Sequence, residues 1–402
     1  MWGQSPMKVA FVSSIPLFPT TEGNRRRTLN LARAVRSLGH EVQFIFLPSW
    51  ATPDLDRADH EAEFGAGGLV VLGNDRLSTL AYLAQRIFGR ALRRARRALG
   101  RRDAFHIGLD ELYRSSHSHQ LRTLQASQGF DAAIVAYVFN SRALEAFGPD
   151  ALRILDTHDS FADRHLAIAG AKSERDYWFS VSDETERSAF RRADIVLAIQ
   201  PDEAERFALR LGPSQRVETV SHLIDLATPL DDFSAVGGTF VGSSNGPNVV
   251  SLNFFVERTL PLILAAVPDF RLHVVGSING RIGEAPGLVK CGRVEDLMEV
   301  FRLAPLSLNP MEVGTGINIK LLDAMAAGVG SVSTETGSRG LGTAFSGGVV
   351  TVPDSDPRAF ADAVIGLCAS ESERRALGGR AFAAAKAWNA RQLQTLGEIL
   401  TH

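Results

Sequence analysis

The sequence predicts an α/β protein built from two doubly wound domains, and three observations predict it. Short β-branched and aliphatic runs alternate with amphipathic helical stretches along almost the whole chain. That alternation breaks once, over residues 225–238 (Asp-Leu-Ala-Thr-Pro-Leu-Asp-Asp-Phe-Ser-Ala-Val-Gly-Gly), and then restarts with a new strand. The length of 402 residues is enough for two domains, each with a core of its own.

Residues 8–12 read as the first buried strand, and residues 15–24, rich in Pro, Gly and Asn, as the loop after it. Leu29, Ala32, Val35 and Leu38 then recur at helical spacing, and Gly39 stops that helix. Further strands are expected at 41–47, 69–72, 132–136, 153–155, 195–198 and 217–220. In the second half they are expected at 239–241, 272–275, 288–291, 306–309 and 329–333, with a helix through Val249, Phe254 and Leu260. The domains are therefore drawn as 1–225 and 238–387, with 226–237 as linker and a terminal helix over about 388–402 joining the first domain. Doubly wound sheets bind ligands beyond the carboxyl ends of their strands, so the two are expected to face each other across a cleft.

Composition narrows the function classes. The net charge of −2 gives no global attraction to nucleic acid or to anionic membrane, so any such attraction must be local. Cys291 and Cys368 form neither a metal-ligand spacing nor a disulfide framework, as expected in a reducing compartment. No apolar run approaches the roughly 20 residues that span a bilayer, and the short polar start does not resemble a signal peptide. The pattern Met-Lys-Val-Ala-Phe-Val begins at Met7, which makes the residues before it read as an extension. A cytoplasmic protein is expected, with the inner membrane surface as a peripheral alternative.

The most informative segment is Pro310-Met-Glu-Val-Gly-Thr-Gly-Ile-Asn-Ile-Lys-Leu-Leu-Asp-Ala-Met-Ala-Ala-Gly328, which leaves a strand and enters a helix. Gly314 and Gly316 would let backbone come close to a ligand. Amides from Ile317 through Asn318 to Ile319 would point out of the helix start, where the dipole favours phosphate oxygens. Lys320 adds positive charge, and the Asp323 carboxylate, one turn further on, could accept both hydroxyls of a ribose. Loop amides for a diphosphate and an acid for a ribose describe a nucleotide site. The same residues also read as a plain glycine-rich turn with a solvated lysine.

This segment resembles the donor-binding motif of glycosyltransferase family 4, Glu-Gly-Phe-Gly-x-x-x-x-Glu-Ala-Met-Ala-x-Gly, with its second acid at Asp323 and Ala324-Met-Ala-Ala-Gly328 matching directly. Phe240-Val-Gly-Ser-Ser-Asn-Gly-Pro-Asn248 resembles the first strand and loop of that family's second domain. His273-Val-Val-Gly276 and Val289-Lys-Cys-Gly-Arg-Val-Glu-Asp296 resemble its next two strands, with the loop that touches the base. Ser221-His-Leu-Ile-Asp225 is similar to the hinge signal, and the helix around Ala387-Trp388 to the one that crosses back. The resemblance implies the GT-B fold and a nucleoside-diphosphate sugar as substrate. It implies retention of anomeric configuration and no metal or other cofactor. Gly242, Ser243 and Asn248 fall in the donor-side loop.

There are departures. The motif's first acid, associated with the donor sugar, is replaced by Thr315, and the basic pair of the first loop is replaced by Ser243, Ser244, Asn245 and Asn248. The diphosphate must then meet amides, Lys320 or another cation, with Arg293 and Arg25 as candidates.

In the first domain, Glu22-Gly-Asn-Arg25 sits between strand and helix, where Gly23 can offer its amide, or form an ordinary βα turn. Arg153-Ile-Leu-Asp-Thr-His158-Asp159 ends a strand. The resemblance implies that His158 reaches the donor sugar near the reacting centre, positioning and polarising sugar and acceptor rather than acting as a covalent nucleophile. A lone histidine otherwise reads as structural or solvated. The triplets Asp54-Leu-Asp56 and Asp354-Ser-Asp356 are rejected as metal sites, because both lie in polar stretches where such triplets arise by chance.

Residues 86–102 carry Arg86, Arg90, Arg93, Arg94, Arg96, Arg97, Arg101 and Arg102 with no acid among them before Asp103. On a helical wheel most of the arginines oppose Ile87, Phe88, Ala91, Leu92, Ala95, Ala98 and Leu99. Such a helix either packs its apolar side on its own sheet or lies on an anionic membrane, which would point to a lipid-linked acceptor. The expected reaction is transfer of a hexose-like sugar to a hydroxyl of a saccharide, a lipid-linked glycan or a small-molecule aglycone. The rivals are an inactive nucleotide-binding protein and a nucleotide-sugar epimerase or phosphorylase on the same plan. An NAD-dependent oxidoreductase is excluded, because residues 12–23 lack Gly-x-Gly-x-x-Gly.

Overall fold

A computed structural model describes residues 5–20, 22–49, 55–73, 76–167, 179–313, 318–341 and 347–401. They form two compact units, Met1–His222 with Gln392–His402, and Leu223–Arg391.

The first unit is a parallel sheet of β1 (Lys8–Ser13), β2 (Glu41–Phe46), β3 (Leu69–Val71), β4 (Ala132–Ala136), β5 (Leu152–Asp156), β6 (Ile195–Ala198) and β7 (Arg216–Thr219). Its order is β3-β2-β1-β4-β5-β6-β7. Val9 to Val12 and all of β4 are fully buried, as continuous apolar runs must be in a sheet covered on both faces. The core on one side gathers Leu121, Phe130, Phe147, Phe161, Phe190 and Phe207.

The second unit repeats the plan with β8 (Gly238–Val241), β9 (Leu272–Val275), β10 (Leu288–Gly292), β11 (Ser307–Asn309), β12 (Ser331–Thr334) and β13 (Val349–Val352), in the order β10-β9-β8-β11-β12-β13. The edge strand β13 was not expected from the sequence. Its four residues, Val349-Val-Thr-Val, are β-branched throughout and two of them are buried, so the strand signal is present but short. The helix after β8 runs from Gly246 to Ala266 and contains a π turn at Phe255–Thr259. Pro261 explains it: with no N–H it cannot bond back to Glu257, and the ladder widens just before it. That helix is long and apolar enough by composition to cross a bilayer, yet Leu252, Phe255, Leu260 and Ile263 are core residues of the unit.

Residues 226–237 pack into the second unit. Leu230 and Phe233 join a cluster with Phe301, Ala324 and Val329, and the Arg374 guanidinium donates to the Phe233 carbonyl at 2.7 Å. The helix Glu371–Leu400 is continuous, and the division between the units falls within it, before Gln392.

Each sheet reverses its strand order once, between β1 and β4 and between β8 and β11. Beyond the carboxyl ends at those two points, loops diverge and leave a crevice. Gly23, Asn248 and Lys320 follow strands at those points, and His158 follows the neighbouring strand β5.

Candidate active site

In the first unit a buried ion pair closes the end of β5. Asp156, its last residue, is fully buried and accepts two bonds from Arg27 Nε, both at 3.1 Å, and one from Nη2. Arg27 comes from the helix Gly23–Ser37 and also donates to the Val220 carbonyl at 2.8 Å. Burial alone would raise the Asp156 pKa. The charges and hydrogen bonds of Arg27 and His158 overcome it and hold the carboxyl well below the usual carboxylate range.

His158 stands two residues on, in the left-handed region at φ 62°. Its Nε2 lies 3.1 Å from Asp156 Oδ2 and 3.4 Å from Thr28 Oγ1. The Thr28 hydroxyl is already donating to the Asn24 carbonyl at 3.0 Å, and a carboxylate only accepts. Nε2 therefore carries a proton toward Asp156, and Nδ1 is the ring's other nitrogen. Tyr137, itself at φ 70°, stacks on the imidazole with ring centres 4.1 Å apart and 15° between planes. Two left-handed non-glycine residues cost on the order of 1–3 kcal/mol each, and they persist because their neighbours over-determine them. Burial pushes the Tyr137 phenol up, against a hydrogen bond to the Asn24 side chain. The phenol is thus a permanent neutral donor.

His222, which the sequence suggests only as part of a hinge, belongs to the same electrostatic cluster. Burial first, then the charges of Arg27 and His158, push it down to about 3, so it stays neutral. Glu203, at the start of the helix after β6, was not anticipated at all. Burial and then the Asp159 charge push its carboxyl up to about 7, and its Oε2 is a buried atom with no hydrogen-bond partner among the described residues. No motif marks it; the only sequence signal is an acid in the first turn after a buried strand. Gly23 is the first residue of the Gly23–Ser37 helix and follows β1 at the switch point. Arg25 does not serve as a phosphate cation: it is buried, donates to the Phe18 carbonyl at 2.9 Å and pairs with Glu22, so it braces its own loop.

In the second unit the loops after β8 and β11 come together. Gly242 ends β8 where a Cβ would meet the Phe240 ring at 2.6 Å, and Gly276, at φ 110°, lies so close that its own Cβ would collide with the Gly242 carbonyl. Asn245 caps the following helix by accepting from the Asn248 amide at 2.9 Å. The Asn248 side chain is buried, donates to the Ser243 carbonyl at 3.1 Å and turns Oδ1 toward Lys320.

Lys320 is the unusual group. Its Nζ lies 3.1 Å from Asn248 Oδ1, 3.3 Å from Met311 Sδ and 4.6 Å from the centre of the Phe240 ring. An amide, a thioether and a π face are three neutral partners, and no carboxylate pairs with this ammonium among the described residues. Burial pushes its pKa down to about 7. The result is an amine only part-protonated near neutral pH, with no counter-charge beside it among the described residues, at the switch point between β8 and β11.

The other expected donor residues divide. Asn318 precedes the helix Ile319–Ala326, but its side chain donates to the Gly337 carbonyl at 2.7 Å and is spent on the next loop; its amide alone remains at the helix start. Asp323 is one turn from Lys320 and partly buried. Arg293 is exposed just after β10. Gly314, Thr315, Gly316 and Ile317 lie outside the described residues. The Ala324-Met-Ala-Ala-Gly328 run has a structural cause. Gly328, at φ 68°, ends the helix, with its amide bonded to Met325 and that of Val329 to Ala324, and a Cβ there would press on Pro229 at 2.8 Å. Leu321, Leu322 and Met325 seat that helix against Trp388, which holds Lys320 in place.

The acidic triplets are structural. Asp56 and Asp356 cap helices, and Asp354 accepts from the Thr336 amide and hydroxyl; Asp54 lies outside the described residues. Among the described residues one group of metal-ligating type assembles, His106, Asp163 and His165, with donor atoms within 4.8 Å of one another. These donors are already engaged: His106 Nε2 is 2.7 Å from Asp163, and His165 Nδ1 is 2.8 Å from Ser180 Oγ.

With this geometry in place, a family model is found to match part of the second unit. Residues 237–370 match the glycosyl transferases group 1 model. The matched stretch lies within the second unit and contains Ser243, Asn248, Lys320 and Asp323. The chain is 28% identical over 156 residues to an uncharacterised 44.6 kDa protein in the cps region of Klebsiella pneumoniae, a match over 36% of this chain and about 40% of that relative's length. Among solved structures it resembles sucrose-phosphate synthase from Thermosynechococcus elongatus, at 16% identity, TM-score 0.61 and 98% coverage of both chains. It also resembles Anabaena Alr3699/HepE, solved in complex with UDP and glucose, at 12% identity, TM-score 0.60 and coverage of 98% and 99%. These likenesses establish the GT-B fold.

Proposed function

We propose that the protein is a nucleotide-sugar glycosyltransferase that moves a hexose-type sugar to an acceptor hydroxyl, with retention and without a metal. One observation carries this reading: inside the stretch that matches the glycosyl transferases group 1 model, Lys320 is a partly buried ammonium surrounded by neutral groups at the switch point. A site that keeps a cation without its counter-charge is prepared for an anion that arrives, and a diphosphate there gains a charge-assisted contact. When the sugar–phosphate bond breaks, negative charge grows on the departing diphosphate. Lys320 and the helix-start amides stabilise that charge, which is the role a metal plays elsewhere.

In this reading Asp156 fixes the orientation of His158 through Nε2, so that Nδ1 is the nitrogen turned to a sugar or acceptor hydroxyl. Asp323 takes the ribose. Retention follows from front-face attack, in which the departing phosphate helps to take the proton from the acceptor. The complex of Anabaena Alr3699/HepE with UDP and glucose supports a uridine donor as the first to try.

A thermal-shift screen of nucleoside-diphosphate sugars tests the reading. A true donor at 100 times its Kd should stabilise the protein by about 2.7 kcal/mol, and Lys320→Met should remove that gain. Stabilisation with no transfer to any acceptor pool would leave a nucleotide-binding protein instead. No stabilisation by any nucleotide would remove the proposal.

A further inference from the structure

The helix Arg76–Ala98 is turned the opposite way from a helix that packs an apolar stripe on its own sheet. Its inward stripe is Tyr82, Arg86, Gly89 and Arg93, spaced by four, three and four residues. Arg93 makes a buried two-pronged pair with Glu111, at 2.6 and 3.0 Å. Gly89 makes room for that carboxylate, since a Cβ there would sit 2.9 Å from it. Arg114 lies over the Tyr82 ring at 4.8 Å. A polar lock therefore fixes the rotation of the helix.

That rotation drives the opposite stripe into solvent. Ile87 is 67% exposed, Phe88 71% and Leu99 76%, with Leu80, Leu83 and Leu92 beside them. Arg90, Arg94 and Arg97 are exposed along one border of this stripe, and the helix contains no acid. An apolar patch of this kind marks a surface made to be covered.

We propose that this face docks on an anionic lipid bilayer, with Ile87, Phe88 and Leu99 inserted at the headgroup level and the bordering arginines on lipid phosphates. Charge complementarity selects this occupant. A second copy of the chain meeting the same face across a twofold axis would bring arginines against arginines, with no acid on the helix to answer them. A lipid surface answers both the apolar stripe and its cationic border. If the chain is a glycosyltransferase as proposed above, the docked face brings it to where a lipid-linked acceptor is presented.

The test is flotation of the full chain with phosphatidylcholine vesicles, with and without phosphatidylglycerol. This readout needs neither donor nor acceptor, so its failure leaves the proposed activity standing. The protein should float with the phosphatidylglycerol-containing vesicles, not with phosphatidylcholine alone, and added salt should weaken binding. Arg94→Gln with Arg97→Gln should lower partitioning about 25-fold, or about fivefold per arginine, corresponding to about 1 kcal/mol each. Ile87→Ser with Phe88→Ser should lower it on the order of tenfold or more. All four side chains are exposed, so far-UV circular dichroism and the unfolding midpoint should not move. Absence from the anionic vesicles, or flotation that survives both double variants, would overturn the proposal. A dimer in sedimentation that Ile87→Ser with Phe88→Ser dissociates, without vesicle binding, would also overturn it, because the face would then be a self-contact.

Discussion

Arg27 and Lys320 both bring positive charge to the carboxyl end of a parallel sheet, and they meet opposite surroundings. Arg27 is locked on Asp156 and a backbone carbonyl, and the carboxylate in turn holds His158. Among the described residues, Lys320 has an amide oxygen, a sulfur and a ring. The first cluster pairs its cation with a carboxylate, leaving Arg27 Nη1 without a hydrogen bond among the described residues, and holds an imidazole in a fixed, strained position. The second pairs its amine with neutral groups, and in the proposed reading its partner is an anion. The difference separates positioning from binding before any ligand is considered.

The comparison is easiest to break at Asp156. Replacing it with Ala strands the Arg27 guanidinium in the core, and equilibrium urea unfolding should register a loss of about 3–5 kcal/mol. Little or no loss would mean that the pair is hydrated and not structural. The same contrast sharpens at His158. His158→Ala should reduce transfer by roughly 10²–10⁴-fold while donor affinity, read by calorimetry, changes little. An equal fall in both would make the histidine a binding group.

Lys320→Met should act with two opposite signs. Donor affinity should fall on the order of 100-fold, while the ligand-free protein should gain roughly 1–2 kcal/mol, because an uncompensated charge has been removed. Loss of apo stability would argue that the lysine is a structural tether. A smaller effect follows from the pKa of about 7 at Lys320. The donor binds the protonated form, so above that pH binding must take up a proton. Apparent Kd should then rise with pH, by up to tenfold per unit, until the pH reaches the raised pKa of the complex. The smallest expected effect is that of chelation: EDTA should leave transfer unchanged, and a loss restored by a divalent cation would point back to His106, Asp163 and His165.

The alternation of apolar runs and amphipathic helices made both parallel sheets legible, since fully buried strands such as 132–136 have no polar residue to obscure them. The segment from Pro310 to Gly328 was legible as a strand-to-helix turn with a cation, and Lys320 does meet Asn248 and borders Ser243 through it. What the sequence does not carry is pairing. Nothing in the string says that Arg27 would find Asp156 across 129 positions, that Arg25 would turn back on its own loop, or that Asn318 would reach Gly337. Glu203 was invisible for the same reason, because a raised carboxyl pKa is produced by burial and a neighbouring charge. The arginine-rich helix is the sharpest case. Its wheel has two faces, and contacts from outside the helix, Glu111 with Arg93 and Arg114 over Tyr82, decide which of them faces water.

Proton uptake on donor binding tests the role of Lys320 most directly. Calorimetric titration with the nucleoside-diphosphate sugar giving the largest thermal shift, at pH 8 in two buffers of different ionisation enthalpy, should report uptake of about one proton by the wild type. The Lys320→Met variant, at ligand concentrations raised to match its weaker affinity, should report none. Wild-type binding with no proton uptake, together with unchanged affinity in the variant, would contradict the assignment of Lys320 as the diphosphate's counter-charge.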